Sequence, residues 1–171
     1  MENNRKTPAG QIALGGVLAA LAVVIMCLGT LIPGASYICP LLAILMNKML
    51  FDLCGKRLAW AWYAAVTLLS CLLAPDKEAA AVFLFLGYYP IVKPWMDGRK
   101  HPAIWKALFF NTSIAVMGYL LFLLLGIPLV EEEYAHIKEI LVLLIFALGN
   151  LTFFLADRLL VMLPKVLRGK K

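Results

Sequence analysis

Glu132, His136 and Glu139 stand four and then three residues apart. On a helix that spacing brings them to one face, with Glu133 one turn before His136, so two carboxylates and an imidazole would converge on a cation. A second reading is purely electrostatic: glutamates in the first turn of a helix meet the positive end of its dipole, and nothing need bind. One histidine is a sparse donor set for a transition ion, so a positively charged or neutral organic group fits better, and neither a metal nor a cofactor is expected. Asn150 with Thr152, and Asn111-Thr112-Ser113, are polar groups inside apolar runs, where a side chain faces a neighbouring helix or a cavity. Asn150 falls below the acidic stretch at the depth of a pocket floor, and Tyr119 offers a ring and a hydroxyl nearby. Tyr119, Glu132, His136, Glu139 and Asn150 are therefore the candidate solute site, while Asn111 reads as structural, and one interhelical hydrogen bond is the alternative reading for each asparagine.

The other ionisable residues read as anchors. Lys48 and Asp52 are four apart and pair on one helix, Lys93 reaches for the interface, and Asp157-Arg158 close the last apolar run. No charge is placed for a proton relay at mid-membrane. G-x-S-x-G, H-E-x-x-H and a complete phosphate-binding loop are all missing, so the chain is not expected to be an enzyme. Cys27, Cys39, Cys54 and Cys71 form no C-x-x-C pair and read as apolar filler.

These residues must be positioned by helices in a bilayer. The chain has 171 residues, 63% of them hydrophobic and 15% charged, far from the composition of a water-soluble domain. At roughly 20 residues per crossing, six spans leave about 50 residues for tails and loops. That excludes a built-in ATPase or nucleic-acid-binding domain. The apolar runs predict an all-α, polytopic membrane protein with one six-helix transmembrane domain over residues 1–171. Its spans fall at about 12–32, 37–53, 58–74, 79–96, 104–130 and 137–163. Pro33-Gly34 ends the first, which is too long for a signal peptide core, and Pro90 sits inside the fourth, which is either short and tilted or continues to about Met96; Tyr88-Tyr89-Pro90 joins an aromatic belt or, as a broken short helix, shapes a pocket. Span 5 is expected to tilt or break near Gly126 and Pro128. With both termini cytoplasmic, only Lys77 and Lys138 of the 16 basic residues fall outside, as the positive-inside rule requires. Trp60, Trp62, Tyr63, Trp95 and Trp105 then form an inner aromatic belt.

Span 1 carries ALGGVLAALAVV, which sets Gly15 and Ala19, and Gly16 and Ala20, four apart. Small residues at that spacing let another helix approach closely. A short basic tail, this alanine- and glycine-rich first helix and six spans in under 200 residues resemble the S components of energy-coupling factor transporters. The resemblance implies a solute-binding subunit for a vitamin or related micronutrient. It also implies partners: a membrane coupling subunit and two cytoplasmic ATPases, with Ala13, Gly15, Gly16 and Ala20 as the docking face. The very short connection Pro33–Ser36 departs from larger members, whose first outer loop gates. The expected partners are thus a small-molecule solute, membrane lipid and the coupling machinery, without nucleic acid, and the expected location is the cell membrane. Two rivals share these spans: a structural or assembly protein of the envelope with no polar pocket, and a membrane enzyme acting on lipid headgroups.

Overall fold

A computed structural model describes residues 7–29, 35–125 and 138–168, with side chains for 7–29, 35–123 and 140–162. Seven α-helices make up this part of the chain: α1 (Pro8–Leu28), α2 (Ala35–Cys54), α3 (Lys56–Leu73), α4 (Lys77–Leu86), α5 (Tyr89–Asp97), α6 (Pro102–Leu125) and α7 (Lys138–Arg168). Five stretches among the described residues are long and apolar enough to cross a membrane: Pro8–Leu28, Ala35–Cys54, Lys77–Asp97, Pro102–Leu123 and Ile140–Met162. α3, which opens on Lys56 and Arg57, is not among them. Leu72 and Leu143 are 77% and 74% exposed on α3 and α7. Against water each such side chain would forfeit about 1.5–3 kcal/mol, whereas lipid accepts it. The molecule is accordingly a helical membrane protein.

The helix ends follow local chemistry. Thr7 Oγ1 accepts from Gly10 N at 3.4 Å and Pro8 occupies the first turn, so α1 begins before the first purely apolar residues. Gly55, between α2 and α3, has φ of 88°, which a side chain would oppose. At the α3–α4 corner Asp76 Oδ1 accepts from Glu78 N and Ala79 N at 2.9 and 3.1 Å. Next to it the Lys77 ammonium donates to the carbonyls of Cys71 and Ala74 at 3.0 and 2.9 Å. One short polar turn thus satisfies the end of one helix and the start of the next.

The chain divides into two compact units, Met1–Ile91 and Val92–Lys171. In the first, α1 packs on α2 and α3, α2 on α3 and α4, and α3 on α4. Its interior is built from small residues, Ala22, Ala43, Ala59 and Ala79, around Met26, Leu50, Val66 and Phe83, all without exposed surface. Alanines let the helix axes approach, which is where dispersion holds helices together when lipid removes the hydrophobic drive. In the second unit α6 packs on α7. Phe110 stacks on Phe153 at 4.8 Å, and a Cβ on Gly149 would come within 3.1 Å of the Phe110 ring, so the glycine makes room for that stack.

Two sequence expectations about the elements change. Trp62 is 4% exposed and belongs to the interior rather than to an interfacial belt, its ring set edge-on to Phe83 at 6.3 Å. α7 continues through Pro164 to Arg168, beyond the expected end near Leu163. The expected turn at Pro33-Gly34 and the break near Gly126 and Pro128 lie outside the described residues.

Candidate functional site

The membrane stretch Lys77–Asp97 is broken where its sequence demands it. Pro90 has no N–H to donate to the carbonyl of Leu86, and its ring would collide with that carbonyl in a continuous helix. α4 therefore stops at Leu86, Gly87 and Tyr88 turn, and α5 starts at Tyr89 with Pro90 in its first turn, where proline is tolerated. A Cβ on Gly87 would sit 2.9 Å from the Phe83 ring, so the turn needs glycine for space. Ile91 N donates to the Tyr88 carbonyl at 3.0 Å, one residue short of helical register, which releases the carbonyl of Gly87. Asn47 on α2 takes it: Nδ2 donates to Gly87 O at 2.8 Å. From α3, Tyr63 Oη donates to Leu84 O at 2.5 Å.

Asn47 is fully buried, and its Oδ1 finds no donor among the described residues. Ser70 Oγ and Trp62 Nε1 are likewise buried without a hydrogen-bond partner there. An orphan acceptor in a membrane interior is expensive, because neither water nor lipid relieves it. The first unit thus holds an interrupted membrane helix, a buried amide that anchors the interruption, and polar atoms with unused capacity. A small ligand with a donor group could satisfy Asn47 Oδ1 beside the break.

In the second unit Asn111 and Asn150 face each other and exchange two hydrogen bonds, at 3.3 and 2.8 Å, and Asn150 Nδ2 also donates to Phe146 O at 2.8 Å. Asn150, for which the sequence allows either a pocket floor or an interhelical hydrogen bond, is here a partner in an amide pair. Tyr119 is 65% exposed on α6. Glu132 and His136 lie outside the described residues. Glu139 falls in the first turn of α7, and its side chain is outside them too. On α1, Ala13, Gly16 and Ala20 are exposed, and a Cβ on Gly16 would meet open space. Gly15 turns the other way, buried with Leu58 3.8 Å from where its Cβ would lie. Three of the four expected docking residues therefore share an outer face, and the fourth packs inside.

Lys93, Lys106 and Asp157 correct the anchoring expectation. They are 5%, 9% and 8% exposed. Lys93 donates to Asp157 Oδ1 and Lys106 to Asp157 Oδ2 at 2.8 Å. Asp97 meets the same lysines from the exposed side, Oδ1 at 2.6 Å from Lys106 and Oδ2 at 3.6 Å from Lys93. Both lysines are instead held by the Asp157 carboxylate. The partners of Asp157 are 64 and 51 residues away in sequence, which hid the cluster from local spacing. The expected Lys48–Asp52 ion pair does form.

No family model, curated protein or solved structure matches this chain.

Proposed function

We propose that this chain is a solute-binding membrane subunit that captures a small molecule and depends on partner proteins for ATP hydrolysis. The observation that carries the reading is the interrupted membrane stretch at Gly87-Tyr88, held by a buried asparagine whose Oδ1 finds no donor among the described residues. Broken helices whose freed backbone faces a neighbouring side chain are where membrane transporters build solute sites. A structural envelope protein has no use for such a break, and an enzyme acting on headgroups would need a reactive constellation that the sequence motifs do not provide. The resemblance to energy-coupling factor S components supplies the partners: a coupling subunit against the face of Ala13, Gly16 and Ala20, and two ATPases behind it. Counting α3 as a crossing gives six spans with both termini cytoplasmic, the arrangement favoured by the partition of basic residues.

Tagged protein purified from its native membranes should bring ATP hydrolysis with it. Ala20→Leu fills the exposed small-residue face without touching the interior, so it should lose the co-purified ATPase while keeping the thermal stability of the wild type. Unchanged ATPase recovery with Ala20→Leu would remove the docking assignment.

A further inference from the structure

The two lysines at the α5–α6 corner are held by two carboxylates of different character. Asp157 is buried and gives one oxygen to each ammonium. Asp97, the last residue of α5, is 43% exposed and lays its two oxygens across the same pair from outside. A carboxylate spanning two ammonium groups in this way occupies the position an incoming oxyanion would take. Around it the surface changes character within a few residues. The Arg99 guanidinium stacks on Trp95 at 4.1 Å and on Trp105 at 5.0 Å, and Trp105 adjoins Lys106 in sequence. Ile104 and Leu108, one turn apart on α6, are 65% and 55% exposed, and Trp95 is 55% exposed. With Asp97 withdrawn, Lys93, Lys106 and Arg99 set three positive charges against the one of Asp157.

We infer that Lys93 and Lys106 form a binding site for a phosphate-bearing anion, occupied by Asp97 as an internal stand-in when the ligand is absent. The ligand's phosphate oxygens replace the Asp97 carboxylate on the two ammonium groups, and Arg99, braced by the two indoles, meets the remaining charge. Lysine serves here as a compact point charge for phosphate, and Asp157 keeps both lysines aimed while the outer carboxylate moves aside. The site sits on stretches long and apolar enough to cross a bilayer, which makes the headgroup of an anionic glycerophospholipid the expected source of the phosphate. The site lies wholly in the second unit and does not depend on the solute-capture reading.

The test uses the full chain in a neutral detergent, titrated with phosphatidylglycerol, phosphatidylcholine and inorganic phosphate, with bound ligand counted by native mass spectrometry and by shift in unfolding temperature. Phosphatidylglycerol should bind saturably and more tightly than phosphatidylcholine. Asp97→Ala should tighten that binding by about fivefold because the internal competitor is gone, and Lys106→Gln should weaken it by about tenfold. Should Lys106→Gln fail to fold, Arg99→Gln, at the exposed rim, supplies the loss arm with a weakening of about threefold. Inorganic phosphate that displaces the lipid at comparable concentration would identify the free anion as the ligand. Phosphate without effect at a large excess would identify the lipid. The site is overturned if neither phosphatidylglycerol nor phosphate binds in preference to phosphatidylcholine, or if Asp97→Ala leaves the affinity where it was.

Discussion

Asp157 shares its carboxylate between two lysines that have almost no solvent around them. Removing it leaves two ammonium groups facing one half-exposed aspartate, and breaking a buried ion pair from one side costs about 3–5 kcal/mol. Asp157→Ala should therefore lower the unfolding temperature in detergent sharply. The triple change Lys93→Met, Lys106→Met and Asp157→Leu should recover most of the loss, because the one charge of the cluster that remains, Asp97, is 43% exposed and no buried charge is left unpaired. A mild effect of the single change would mean that the cluster is solvated. Lys48 and Asp52 were legible from the sequence because their contact is made by helical spacing alone. Asp157 was not: its neighbour Arg158 and its place near the end of an apolar run suggested an anchor, and only the fold brings α5, α6 and α7 together at it. Asn150 was legible as a polar group that must face something, but not as the partner of Asn111, which lies 39 residues away.

Among the elements, Pro90 marked the fourth run as short and tilted or continuing to about Met96, and only the fold shows the break itself and the space that Gly87 gives the turn. What spacing could not show was the amide that holds the break, since Asn47 sits 40 residues earlier on a different helix. Gly15 and Gly16 make a similar point on α1: neighbouring residues on a helix point about 100° apart, so one packs on Leu58 and the other is exposed. α3 is the element on which the span count turns. Its 18 residues rise about 27 Å, and it packs on three apolar helices of its unit. If it crosses the bilayer, single cysteines placed at Lys56 and Lys77 in a cysteine-free background should react with an impermeant maleimide from opposite sides of sealed vesicles. Labelling of both from one side would reduce the crossings to the five apolar stretches.

For the whole molecule, the class was plain from composition. A mean hydropathy of +0.89 over 171 residues leaves no alternative to membrane helices. The acidic stretch with Glu132 and His136 promised chemistry at one end of the bundle, whereas the described residues put their unused hydrogen-bonding capacity in the first unit, at Asn47, Trp62, Thr67 and Ser70. The central claim is that this capacity serves a captured solute. The direct measurement is untargeted mass spectrometry of the small molecules released when the detergent-purified protein is denatured, made side by side on the wild type and Asn47→Leu. A single water-soluble compound, present near one equivalent per chain in the wild type and absent from a folded Asn47→Leu preparation, is the expected result. Extracts that contain only lipid and detergent in both samples, or the same compound at the same level in both, would contradict it.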